Sequence, residues 1–406
     1  MAAAQCIERL GGWEGYELES SSEQPRGGIQ WCILKLKARP SDVRCCSGCG
    51  FRGAPVHDQE ERRVRDLPIF EARVELVVPR LRLLCPHCGP KLEELAWLEP
   101  YARVTTRLAN SVARLCKVMS VRHVAAFYGL SWSTVKLIDL RHLMRELGPP
   151  CLDGVEVIGM DEFAIQKGHR YATVIVEPYR KVVLWVCRGR GRLDVRPFFE
   201  QLGPQGRLRL KAAVMDMNGA YTEEVRFQCP NAQIVYDLFH VIAKYGREVI
   251  DRVRVDEANR LRQDKPARKL VKSSRWLLLR NRDNLADQER IRLKELLAAN
   301  RALTTVYLMK DDLKALWDYR HVGYAKRFWE QWYHRAMRSR ISALKKFAKN
   351  LKPLIDGILA HCRYPLGTNL IEGINNKIKV IKRMAYGFRD DVYFFLKIRA
   401  AFPGVR

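Results

Sequence analysis

Asp161 interrupts a run, VEVIGMDEFAI over residues 155–165, that otherwise reads as the core of a sheet. A buried carboxylate is costly unless it is paired or ligates a metal, so chemistry is sought there first. The competing reading is a strand-end aspartate that faces water. Two further acids can join it. Asp216 ends the apolar run KAAVMDM over 211–217, and Glu372 lies in NLIEGINNKIK over 369–379. Clustered carboxylates repel one another and persist mainly by holding divalent cations, and hard oxygen ligands select Mg2+ or Mn2+. Two such ions about 3.5–4 Å apart would activate the attacking oxygen and stabilise the leaving oxygen in an in-line phosphoryl displacement. Glu162 adjoins Asp161 and by strand alternation is expected on the other sheet face.

A second set has a different chemistry. Cys46-Ser47-Gly48-Cys49 and Cys85-Pro86-His87-Cys88 are two CxxC knuckles, each followed by glycine. Two-residue spacing lets both thiolates of a knuckle reach one Zn2+ at about 2.3 Å, and four thiolates complete a closed structural site. The spacing between the knuckles is longer than in usual zinc ribbons, and Cys45 is a less favoured alternative ligand.

Several elements must carry these groups. Val155–Ile165, Tyr171–Glu177, 181–188, 211–217 and 232–237 read as strands, with helical patterns over 196–202 and after Asn218-Gly219, an α/β order with short connections. Residues 166–170, QKGHR, form a basic turn in which Lys167 and Arg170 could lie near a DNA backbone. Asp237-Leu-Phe-His240 follows the last strand. Residues 71–84 read as the strands carrying the second knuckle, 30–37 as a strand, and the first 30 residues, rich in Gly, Ser and Glu, as loop. Residues 107–119, 121–128 and 132–139, with Thr105 or Thr106 as a cap and Gly129 in the turn, follow the grammar of a helix-turn-helix. Its second helix would present Trp132, Ser133, Thr134 and Lys136 to a groove or to phosphates. Residues 241–360 are helical and basic, with Leu293, Leu296, Leu297, Leu303 and Leu308 on one core face and a long helix over 329–352. Thr368 or Asn369 could cap the late helix. That helix sets Glu372, Asn375, Asn376 and Lys379 on one face, a set that suits a phosphodiester with bound metal.

The chain has 406 residues, with 29% charged, 47% hydrophobic and a formal net charge of +27. The length allows two to four domains, and so strong a positive balance implies a polyanionic partner, with nucleic acid leading. Membrane binding fits poorly, since no apolar run approaches the roughly 18 residues of a spanning helix. The opening residues lack the layout of a secretory signal, and an intracellular protein is expected. The twelve cysteines are then thiols or metal ligands rather than disulfides.

In this order, GMDEFAIQKGHRY, VMDMNGAY, YDLFHV and NLIEGINNKIKVIKRMAYG, preceded by RDLPI between the knuckles and by MSVRHVAAFYGLSWSTVK, resemble the ISL3 family of DDE transposases. The resemblance covers nearly the whole chain. It implies an RNase H-like catalytic core interrupted by an all-α insertion, an α/β fold class, preceded by a zinc ribbon and a helix-turn-helix. The corresponding boundaries are 1–98 for the zinc domain, 101–148 for the helix-turn-helix, 151–240 and 363–406 for the two parts of the core, and 241–362 for the insertion. It also implies Asp161, Asp216 and Glu372 as the Mg2+-binding triad, and Asp237 and His240 as flanking residues of the site. The implied partners are double-stranded DNA, both element terminal inverted repeats and target, and further copies of the chain in a dimer or larger assembly. A prokaryotic cytoplasmic, nucleoid-associated protein follows from the same likeness. The implied reaction is hydrolysis at the element end followed by attack of the freed 3′-hydroxyl on target DNA.

Overall fold

The computed structural model describes residues 9–166, 168, 170–280, 282–366 and 369–404, so Lys167 and Thr368 lie outside it. The chain forms two compact units, Met1–Gly148 with Ile381–Leu396, and Pro149–Val380 with Lys397–Arg406.

The first unit holds a five-stranded sheet in the order β1-β2-β4-β3, with β5 on β4. The strands are β1 (Tyr16–Arg26), β2 (Ile29–Ala38), β3 (Val56–Ile69), β4 (Ala72–Cys85) and β5 (Gly89–Leu92). β1 corrects the expectation of loop over the first 30 residues. It is an edge strand, and its serines and Pro25 are tolerated because an edge needs neither alternation nor every amide. Gly27 and Gly28, at φ 58° and 76°, supply the left-handed pair that closes the β1–β2 hairpin. Residues 71–84 belong to one long strand, and the β3–β4 hairpin accounts for the wide separation of the knuckles. Trp13, Tyr16, Leu34, Val64, Leu76 and Trp97 are among the core residues of this sheet.

Three helices follow, Thr106–Cys116, Val121–Tyr128 and Trp132–Leu147. Thr105, Ser120 and Ser131 cap them in turn, accepting from the amides of Leu108, His123 and Thr134. Gly129 ends the middle helix at φ 60°, in the left-handed position that sets the turn. Leu108, Val112, Val124, Tyr128 and Val135 pack in its small core.

The second unit carries the sheet β10-β9-β6-β7-β8. Its strands are β6 (Val157–Gln166), β7 (Arg170–Glu177), β8 (Val182–Arg188), β9 (Ala212–Met215) and β10 (Gln233–Tyr236). β6, β7 and β8 are antiparallel, while β9 and β10 run parallel to β6. The helix after β8 is longer than expected, Arg192–Arg209, with a break at Gly203. From Leu238 onward every named element is helical. One continuous core joins the sheet residues Ile158, Met160 and Met215 to Tyr245, Trp332 and Phe347 of these helices.

Two helical expectations are corrected. Leu308 is 56% exposed and does not share the core face. The long helix over 329–352 is two, Val322–Arg338 and Ser342–Leu351. Ser339 Oγ bonds Ala336 O at 2.7 Å and accepts from Ile341 N at 3.3 Å. A side chain competing in this way for backbone partners ends a helix without glycine or proline.

Candidate active site

Asp161 continues β6 just past Met160, which pairs with Met215 of β9. Asp216 follows Met215 directly, and Met215 pairs with Tyr236 of β10, which Asp237 follows. Three aspartates therefore stand at one level on three adjacent parallel strands, at the carboxyl end where ligands of open α/β sheets gather. β9 and β10 stop before their acids, so Asp216 and Asp237 lie in loops. Each aspartate is partly held by backbone: Asp161 accepts from Glu162 N at 2.7 Å, Asp216 from Asn218 N at 3.1 Å, Asp237 from Phe239 N at 2.7 Å. Asp237 thereby caps the Leu238–Tyr245 helix, which carries His240.

The crowding shows in the protonation equilibria. Burial, reinforced by Asp216 and Asp237, pushes the Asp161 carboxyl up to about 6, against the pull of the Glu162 amide and of His240. Burial likewise raises Asp216, with Glu162 and Asp237 adding to it and His240 opposing. Asp237 most of all, then Asp161 and Asp216, raises His240 despite the cost of burying it. Its Nδ1 lies 3.4 Å from Asp237 Oδ2, close enough for charge attraction. Glu162 pairs with Arg190 at 3.0 Å, yet its charge still reaches Asp216. Alternation alone does not remove it from the neighbourhood.

The helix Asn369–Met384 brings one side chain onto this row. Asn375 Nδ2 donates a short hydrogen bond to Asp161 Oδ2, and its Oδ1 is buried with no hydrogen-bond partner. Asn375 thus faces a carboxylate rather than open surface, where it was expected to meet DNA. Glu372 sits one helical turn earlier and is exposed. Among the described residues no three of these acids come within 4.8 Å of one another, so the acids do not form a ready cation cage. Two carboxylates and an orphaned amide oxygen are hard donors and fit Mg2+ or Mn2+ chemically.

The cysteines are already assembled. The Sγ atoms of Cys46, Cys49, Cys85 and Cys88 lie within 4.8 Å of one another, and Cys49 and Cys85 are 3.5 Å apart. A tetrahedral zinc with Zn–S bonds of about 2.3 Å separates its sulfurs by about 3.8 Å, so the set fits zinc. Gly48 N–H points at Cys46 Sγ at 3.4 Å. Cys45 is directed instead to Gly50 O and Glu94.

Sequence comparison gives three matches along the chain. The transposase domain of the ISL3 family matches residues 158–398, the helix-turn-helix domain of transposase family ISL3 matches 93–143, and the zinc finger of the IS204/IS1001/IS1096/IS1165 transposases matches 42–88. The chain is 54% identical over 405 residues to the transposase for insertion sequence element IS1001 of Bordetella parapertussis, covering 100% of this chain and 99% of the relative. The chain belongs to the ISL3 family of transposases. A more distant relative, the IS1557 transposase of Mycobacterium tuberculosis, is 26% identical over 385 residues, covering 88% of this chain and 85% of its own.

In this ISL3 transposase the helix-turn-helix is a DNA-binding element, and its predicted contacts divide. Trp132 is 53% exposed and Ser133 is exposed. Ser133 and Thr134 share their hydroxyls with the capping Ser131 at 3.0 and 2.7 Å. Lys136 is engaged within the unit: its Nζ meets Asp390 at 2.7 Å and lies over the rings of Trp132 and Tyr393. Arg170 bonds Gln166 at 2.9 Å, and Lys379 bonds Asn376 at 3.2 Å on the exposed side of its helix.

Sequence reasoning gave no role to Arg65 and Asp66, quoted only within RDLPI. Arg65 donates to the carbonyls of Tyr128 at 3.0 Å and Gly129 at 3.3 Å, in the turn of the helix-turn-helix, and stacks on Trp31. Buried Asp66 accepts from Thr105 Oγ1 at 2.6 Å and Arg107 Nε at 2.7 Å. Adjacent residues of β3 thus grip the start of the first helix of the motif and the end of the second.

Proposed function

We propose that this protein catalyses the DNA cleavage and strand-transfer steps by which an insertion sequence moves. Asp161, Asp216 and Glu372 act as its metal-binding triad. The observation that carries the reading is the side-by-side placement of Asp161 and Asp216 on adjacent parallel strands, with Asn375 fastening the Glu372 helix to Asp161. Three antiparallel strands followed by two parallel ones, in the order β10-β9-β6-β7-β8, support an RNase H-like core. The helical stretch between Asp237 and Glu372 reads as its insertion.

Bound Mg2+ or Mn2+ would activate the attacking oxygen and stabilise the leaving one. The chain's own part is to hold carboxylates at one level, to exclude bulk water from a half-buried row, and to keep His240, whose imidazole Asp237 biases toward protonation, beside it. In the first step water oxygen bonds to phosphorus and the bond to the 3′-oxygen breaks, leaving a 3′-hydroxyl. That hydroxyl then attacks a target phosphodiester, exchanging one P–O bond for another without a covalent protein intermediate. The zinc ribbon and helix-turn-helix recognise the terminal inverted repeats, and synapsis of two ends calls for a dimer or larger assembly. No helix among the described residues is long and apolar enough to cross a membrane, in keeping with work on nucleoid DNA in a prokaryotic cytoplasm.

The test is an end-cleavage and strand-transfer assay on duplexes carrying the element termini, with Mg2+. Cleavage and joining are expected. Cleavage without joining would make the protein a nuclease, and binding without cleavage a regulator.

A further inference from the structure

The helical part of the second unit contains two adjoining clefts that nothing in the proposed chemistry uses. One, of about 930 Å³, is walled by the ends of the helices Asp251–Arg260, Arg301–Ala315 and Val322–Arg338. The other, of about 710 Å³, runs between Arg247, Arg252 and Lys346. Both include Ser342, the first residue of the helix Ser342–Leu351, so they meet there.

The charges on these walls are unequally satisfied. Each wall acid has a cationic neighbour: Glu248 with Lys244 at 4.0 Å, Asp256 with Arg252 at 3.6 Å, Glu257 with Arg260 at 2.6 Å. Arg247, Arg301, Arg338, Arg340 and Lys346 are exposed, and among the described residues none has a carboxylate within ion-pair distance. Five uncompensated cations line a groove whose acids are already neutralised. Arg340 also holds φ 60°, a left-handed conformation that costs a non-glycine residue about 1–2 kcal/mol and that collects at functional positions. The Ser342–Leu351 helix has no side-chain cap on its amides, leaving N–H donors at the point where the clefts join.

We infer that this groove binds the phosphodiester backbone of DNA, one strand of a duplex seated across Ser342 between the arginines. Guanidinium forks match phosphate geometry, and hydroxyls and free amides add contacts that position DNA without reading bases. The identity of the occupant rests on the transposase reading. The DNA can come from the element end or from the target, and the chemistry is the same.

The experiment is fluorescence anisotropy on the full-length protein with labelled 30-base-pair duplexes, one carrying the element end and one unrelated, titrated across salt concentration. The variants are the triple R301A/R338A/R340A and the single Ser342→Asp. For the triple variant the log–log salt slope should fall by about 2–3, since each phosphate contact contributes about 0.9. Ser342→Asp should weaken binding at least several-fold while its melting temperature holds or rises, because an acid at a helix start is favourable. Loss confined to the unrelated duplex assigns the groove to target, and loss confined to the end duplex assigns it to the element. Unchanged affinity and slope for both duplexes would overturn the inference. So would a response of poly-glutamate binding without one of duplex binding, which would make the groove a protein-docking site. Because binding is read without turnover, failure here is separable from failure of the catalytic reading, which is judged by cleavage in the triad variants.

Discussion

The four cysteines and the three aspartates are both clusters of potential metal ligands, yet they are built in opposite ways. The sulfurs stand at mutual distances that match an occupied tetrahedral site. The β-hairpin and the two knuckles impose that proximity. The aspartates share one level of the sheet, but burial and mutual repulsion push Asp161 and Asp216 toward the protonated form, and no three acids there lie within 4.8 Å of one another among the described residues. The cysteine set is complete without any further group, whereas the acid row carries an electrostatic cost that a bound cation would relieve.

The largest effect should come from the finished site. Structural zinc contributes on the order of 10 kcal/mol or more to small zinc domains, so Cys85→Ser or chelation should unfold the knuckle region and abolish end binding. Elemental analysis together with thermal melting checks this. Wild-type protein purified without zinc and melting normally would erase the contrast between the clusters.

Next, Asp161→Asn should act in both directions at once. On the proposed triad, loss of this carboxylate forfeits several kcal/mol of transition-state stabilisation, and at about 1.4 kcal/mol per tenfold cleavage should fall by roughly 10³ or more. Stability of the metal-free protein should instead rise. A carboxyl raised from 3.8 to about 6 binds its proton more tightly folded than unfolded. Metal-free stability is therefore lost as pH rises from about 4 to about 6 and stays low above that. At about 1.4 kcal/mol per unit, removing the charge recovers up to about 3 kcal/mol at pH 7 and little near pH 4. Denaturant melts of wild type and variant at the two pH values test the sign. A destabilised Asn variant at pH 7 would show that the row is satisfied internally, as the cysteines are.

The proposed metal site ties this equilibrium to cation binding. Mg2+ held there would displace the Asp161 proton, so Mg2+ affinity should climb up to about tenfold per pH unit below about 6 and level off above it. Isothermal titration between pH 5 and 8 reads this directly. A flat profile would remove protonation of the row from the account of metal binding.

How much of this was legible beforehand follows from the range of each signal. CxxC knuckles and the Thr105 cap are local, so they read well from spacing. Asp161 and Asp216 read as a pair because each breaks an apolar strand. Asp237 was harder to weigh, because its place in the row depends on β10 pairing with β9, a contact that strand order alone reveals. Asn375 was assigned to DNA because helix periodicity gives a face but not what the face meets. Arg65 and Asp66 lie in a polar strand, and their partners are some 40 to 60 residues away in sequence, where no periodicity reports them. β1 was missed because edge strands lack alternation, and the split at Ser339 because a side-chain hydrogen bond ended the helix.

The smallest expected effect bears on Lys136, where the sequence and the structure assign different partners. The sequence places it on the face of a DNA-reading helix, whereas the structure pairs it with Asp390, next to buried Asp139 hydrogen-bonded to Tyr393. Hydrogen bonding to Lys136 is the chief reason the Asp390 carboxyl lies below its usual range. A lowered carboxyl contributes stability above its unfolded value, and this is lost as pH falls through the folded one. Both partners are partly exposed, at 24% and 37%, so the pair contributes less than about 1 kcal/mol. If Lys136 is satisfied as the cysteines are, Lys136→Ala should cost that small stability at pH 7, nothing near pH 3, and leave the salt slope of end binding unchanged. A slope reduced by about 0.9 with unchanged melting would place Lys136 with the aspartates instead, as a group held ready for a partner outside the chain.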